Sequence, residues 1–163
     1  MYLYFILIAS LVIFVLLSIV IYKKHSAVFN PENNQINYKN ATDLTGTELR
    51  KISSRPFLFG LEGNLVSDED FYFDDTNFYA INTKYGRKAV FSLTDIVQLG
   101  RTSIIITNHN VWQITLQTVD KNKIVFRFTH NYTIWNKNFS VFHQKVKQIN
   151  PAIVKSKWSL WTM

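Results

Sequence analysis

The sequence predicts a mainly β (α+β) chain. An N-terminal transmembrane helix precedes a two-sheet β-sandwich, or partly open barrel, of about seven antiparallel strands, and a C-terminal amphipathic helix caps it. Three observations predict this. The first 22 residues, MYLYFILIASLVIFVLLSIVIY, carry no charged side chain. From Pro56 onward, short runs rich in aromatic and β-branched residues are separated by turn residues. Around residue 135 the apolar period changes from two to the alternating three and four of a helix.

As a helix, residues 1–22 would reach roughly 33 Å, slightly more than a hydrocarbon core. Tyr2, Tyr4 and Tyr22 fall near its ends, at the depth where amphipathic rings are favoured. No basic residue precedes the run, and Lys23 and Lys24 follow it, so it reads as a retained anchor rather than a cleaved leader. The same flanks predict a single-pass protein of the plasma or inner membrane, with the N-terminus outside and the domain in the cytoplasm. The glycosylation triplets beginning at Asn40, Asn131 and Asn138 are then incidental.

Residues 23–45 are Asn-rich and without period, and read as a juxtamembrane linker. The domain proper is expected over residues 46–150, with residues 151–163 as a tail or an edge strand. Thr45-Gly46-Thr47-Glu48 fits a capping box, which predicts one or two helical turns over TELRKI. Strands are predicted in FLFGL, DFYF, FYAINT, KAVFSL, IVQL, SIIIT, VWQITLQTV and KIVFRFT. Turns are predicted at Asp74–Asn77, Lys84–Arg87 and Asp120–Asn122. Trp112, Ile114 and Leu116 alternate with Gln113, Thr115 and Gln117, the pattern of a strand with one face on a core. Trp135, Phe139, Phe142, Val146 and Ile149 then form the stripe of a helix over about 135–149. Lys137, His143, Lys145 and Lys147 fall off the stripe and are expected to face water, and Asn150-Pro151 ends the helix.

The hairpin VWQITLQTVDKNKIVFRF, the following amphipathic helix and the step AVFSLTDIVQLG are similar to the pleckstrin-homology-like superfold in its bacterial and GRAM-type variants. The resemblance covers about residues 50–150. It implies two bent sheets with the helix plugging one end, and a module that binds phosphoinositides, other lipids or proteins rather than an enzyme. The basic motif that follows the first strand in some members has no counterpart here. SSRPFLFGLEGNLVSDED offers Arg55 and then acids, so the resemblance implies no particular headgroup.

The chain has no cysteine, which excludes disulfides and thiolate chemistry. Its charge is unevenly spread: residues 76–163 hold twelve basic side chains and only two acidic ones, Asp95 and Asp120. Such a surface attracts anionic lipid headgroups, each close Lys or Arg contributing about 1 kcal/mol. Lys84, Arg87 and Lys88, around one predicted turn with Tyr85, are the leading lipid-binding candidates, against the alternative of a solvated turn. Lys155, Lys157, Trp158 and Trp161 are the second set, mixing ammonium groups with interfacial rings, and their alternation fits an edge strand equally. Asp68, Glu69, Asp70, Asp74 and Asp75 form an acidic run suited to docking a protein partner. Asp68-Glu69-Asp70 formally matches an Asp-x-Asp pattern, but no phosphate-cradling loop accompanies it. No metal or cofactor is expected, since the four histidines form no helical pair and nucleotide and nucleophile motifs are absent. Nucleic acid is disfavoured by the predicted anchor. The expectation is a non-enzymatic binding module contacting the bilayer through anionic phospholipid. The alternative is a scaffold that recruits a partner, such as another membrane protein, and an enzyme built on the acidic run ranks third.

Overall fold

The computed structural model describes residues 10–18, 36–40, 48–55, 63 and 65–158. The chain divides into two compact units, residues 1–31 and 32–163. In the first, residues 10–18 are helical (α1). Here the sequence expectation is corrected. Among the described residues no helix is long and apolar enough to cross a membrane. The described stretch of α1, residues 10–18, covers about 14 Å at 1.5 Å per residue, against a hydrocarbon core of roughly 30 Å. Apolar composition alone does not make a span, which needs about twenty residues in one helix. The single-pass topology, the outside N-terminus and the cytoplasmic domain all depended on that span and lose their basis with it. Residues 1–9 and 19–22 of the predicted anchor lie outside the described residues.

The second unit contains β1 (Lys39–Asn40), β2 (Arg50–Lys51), β3 (Ser53–Ser54), β4 (Asp70–Phe73), β5 (Asn77–Asn82), β6 (Arg87–Ser92), β7 (Ile96–Ile106), β8 (His109–Gln117), β9 (Lys123–His130) and α2 (Asn138–Ile149). They form a five-stranded sheet of order β1-β6-β5-β4-β2 and a four-stranded sheet of order β3-β9-β8-β7. All neighbouring strands are antiparallel.

β2 and β3 are one bent strand that serves both sheets. Ile52 stands between them, fully buried. Its N–H donates to Phe71 C=O, and its C=O accepts from Asn131 N–H just beyond β9. A strand that changes sheets in this way makes the corner of the sandwich. Local chemistry predicts helix here, but pairing of Arg50 with Phe73 and of Ser53 with His130 makes the segment a strand. Residues 45–47 of the predicted capping box, and the predicted strand FLFGL, lie outside the described residues.

The hairpin chemistry is local. Asp74 Oδ1 accepts the N–H groups of Thr76 and Asn77, both at 2.7 Å, and turns β4 into β5. Thr107 and Asn108, with φ of 47° and 64°, turn β7 into β8. Ser92 and Asp95 form a capping box around the 3-10 turn Leu93–Asp95, where the chain passes from the five-stranded sheet into β7. The predicted strands IVQL and SIIIT are joined in β7, whose irregular register between Arg101 and Ile105 absorbs the polar interruption.

The core fills the space between the sheets. Phe71 stacks on Phe78 at 5.5 Å and meets Phe126 and Phe128 of the other sheet at 5.2 and 5.0 Å. α2 plugs one end: Phe142 lies 5.4 Å from Phe73, and Phe139 lies 4.9 Å from Trp112. Phe139, Phe142 and Val146 are buried as the stripe predicts. Both ends of the predicted stripe differ. Trp135 precedes the helix and is 94% exposed, and Ile149, the last residue of α2 and beyond its buried span Phe139–Val146, is 43% exposed. Asn131 and Asn138 each donate Nδ2 to Lys51 C=O, so two of the three glycosylation triplets have their Asn side chains engaged in the fold.

Candidate functional site

The β5–β6 hairpin carries the leading sequence candidates. Its turn runs through Gly86 at φ 59°, a left-handed conformation that glycine adopts without cost. Tyr85 is 61% exposed at the tip, and Lys84 Nζ lies 5.3 Å above its ring. Register then adds a residue that sequence reading missed. β1 runs along β6 so that Lys39 is directly opposite Lys88, and Asn40 opposite Arg87. Residues paired across antiparallel strands share a face, so two ammonium side chains are set beside one another, and like charges in this relation are destabilising. The ion pairs among the described residues are Arg50–Asp75, Lys51–Asp70, Arg55–Asp70 and Lys145–Asp75. None of them takes in Lys39, Lys84, Arg87 or Lys88, the cationic corner of this sheet, where Lys39 and Lys88 share one face and Arg87, next to Lys88 on β6, points to the other.

The acidic run is divided rather than gathered. Asp70 is 6% exposed and neutralised by Lys51 Nζ and Arg55 Nε, both at 3.1 Å. Arg55 also donates to Asp68 C=O and Thr83 Oγ1, tying β4 to the hairpin. Glu69 accepts the Tyr38 hydroxyl at 2.6 Å, and burial together with this carboxylate pushes the phenol pKa upward. Asp74 serves the turn. Partial burial works against its charge, but bonds from the Tyr79 hydroxyl, Thr76 N–H and Asn77 hold its pKa at about 2. Asp75 is an exposed carboxylate bridging Arg50 and Lys145, and the Lys145 ammonium holds its pKa below the usual range.

The segment after α2 packs on the edge of β7. Val154 makes a parallel bridge to Leu99, and Lys155 N–H donates to Leu99 C=O at 2.8 Å. Ser156 Oγ accepts Arg101 N–H at 2.9 Å. A Cβ on Gly100 would stand 3.3 Å from Lys155 Cβ, a tight contact that would push the segment away by a few tenths of an ångström. Trp158 packs 4.9 Å from Phe139 and His130 and 5.1 Å from Tyr132. His143, expected in water, is 5% exposed because this segment covers it. Between α2 and the segment lies a cavity of about 520 Å³, with Lys147, Lys155, Lys157, His143 and Trp158 in its wall. Lys155 and Lys157 therefore stand on the edge of the four-stranded sheet, whereas the cationic corner belongs to the five-stranded one. Trp161 lies outside the described residues.

Comparison with known proteins finds no family model and no curated protein that matches this chain.

Proposed function

We propose that this domain is a non-enzymatic binding module of pleckstrin-homology-like architecture whose cationic corner contacts anionic lipid headgroups. The architecture is supported by the bent strand β2–β3 shared between two sheets, the meander from β4 to β9, and the helix plugging one end. One observation carries the ligand: Lys39 and Lys88 are directly opposed across β1 and β6, next to Arg87 and Lys84. Packing does not call for this repulsion, since Lys39 is exposed and Lys88 points to the face of β6 opposite to buried Ala89. An anionic group between the ammonium side chains would relieve it, and headgroup phosphates supply such a group. The protein-docking reading has less to stand on, because Asp70, Asp74 and Asp75 are engaged within the fold.

Co-sedimentation of the full chain with neutral and anionic vesicles tests the reading. Binding should require anionic lipid, weaken as salt rises, and drop in a Lys84→Gln, Arg87→Gln, Lys88→Gln variant. Equal binding by the triple variant would remove the corner from the site.

A further inference from the structure

Ile134 and Trp135 are 80% and 94% exposed, although they are large apolar residues side by side. They form the apex of a closed turn. Thr133 N–H donates to Asn136 C=O at 3.0 Å, and Asn136 N–H donates to Thr133 Oγ1 at 2.9 Å. Both feet of the turn are fixed. Asn131 and Asn138 each hold Lys51 C=O, and Tyr132 N–H donates to His130 Nδ1 at 3.2 Å. Such a turn presents its apex already ordered, which lowers the entropic cost of burying it elsewhere.

The size of the apex decides what it suits. Together the two side chains offer roughly 400 Å² at most, about half of the ~800 Å² that one partner contributes to a specific protein interface. A protruding Ile-Trp pair of this size is suited to shallow burial among headgroups and upper acyl chains, where Trp is favoured. Its surroundings match. Lys137 follows the turn and is exposed, and Tyr132 at its base touches Trp158, next to exposed Lys157.

We propose that the Ile134–Trp135 turn is an insertion element, which enters the interfacial layer of an anionic lipid surface while Lys137 and Lys157 meet the headgroups. This rests on the lipid reading above and adds a second, apolar attachment to it.

The test uses the full chain with vesicles of phosphatidylcholine alone and of an equimolar mixture with phosphatidylserine. Anionic vesicles should shift tryptophan emission to the blue. Trp135→Phe should still sediment but lose most of that shift. The Ile134→Ser, Trp135→Ser variant should bind roughly tenfold more weakly at an unchanged melting temperature. If wild type sediments with anionic vesicles and the double serine variant does so equally, insertion is overturned while the hairpin contact stands. If wild type binds neither vesicle, the lipid reading itself fails and this inference fails with it.

Discussion

His143 Nε2 lies 3.1 Å from Ser156 C=O, and because the partner is a carbonyl, this nitrogen carries the proton. The bond ties α2 to the C-terminal segment. Trp158 completes the attachment by filling the space between Phe139, His130 and Tyr132. Trp158→Ala should therefore destabilise the domain by about 2–3 kcal/mol, below the roughly 3–5 kcal/mol for removing a fully packed indole, since the ring is half-buried. Urea unfolding followed by circular dichroism would read this. An unchanged midpoint would mean that the segment is not held by its aromatic contacts.

The imidazoles under this segment make stability pH-dependent. Burial, and then the charge of nearby His109, lowers His130 from its ordinary 6.5 to about 4. Burial lowers His143 as well, with Lys147 adding and the Ser156 carbonyl opposing. The unfolded chain thus binds a proton between pH 6.5 and 4 that the folded chain refuses. Stability from His130 is fully present above 6.5 and falls as pH drops through this window, by about 3 kcal/mol at most. Protonated Nδ1 would also confront the Tyr132 N–H that it accepts when neutral. His130→Asn, which keeps an acceptor but does not titrate, should flatten the slope of unfolding free energy between pH 6.5 and 4. Asp74 acts lower, where its contribution is lost as pH falls from 3.8 through about 2.

Two aspartates of the same acidic run should differ in weight. Asp70→Asn leaves Lys51 and Arg55 without their shared buried anion, and should cost about 1–3 kcal/mol, because both cations remain partly hydrated. Asp75 has an 80% exposed side chain, and Asp75→Asn should leave the denaturation midpoint within error. Equal losses would contradict the division of the run into one buried and one exposed ion-pair site.

The cationic corner predicts opposite effects on stability and binding. Lys88→Glu turns a repulsive cross-strand pair with Lys39 into an attractive one, and should raise stability by roughly 0.2–1 kcal/mol. The same change should weaken binding to anionic vesicles. A variant that is more stable and binds as well would remove Lys88 from the contact surface.

Most strands were legible because their signal is local. Trp112, Ile114 and Leu116 are buried in β8 as their alternation implies, and the stripe of α2 holds for Phe139, Phe142 and Val146. What was not legible depends on partners far away in sequence. Arg50–Ile52, the end of TELRKI, reads as helix until β4 and the residue after β9 claim its backbone. Lys39 sits in a stretch that reads as linker, and only strand register brings it to Lys88. His143 falls off the apolar stripe, and its burial comes from a segment beyond the helix. Trp135 continues the stripe by spacing, yet Asn136 caps the backbone of Asn138 and the helix starts after it.

The bent strand at Arg50–Ser54 has a kinetic consequence. It must meet Phe73 in one sheet and His130 in the other, so its second pairing waits until nearly the whole meander exists. Long-range closure of this kind slows folding, towards the millisecond-to-second regime of β-rich domains. During synthesis Ser53 and Ser54 emerge well before Lys123–His130, and until that partner arrives they leave an unpaired edge of the sort that recruits other chains. Destabilising changes in β9 should therefore lower the yield of folded protein more than equal losses in β5, whose partners are its immediate neighbours.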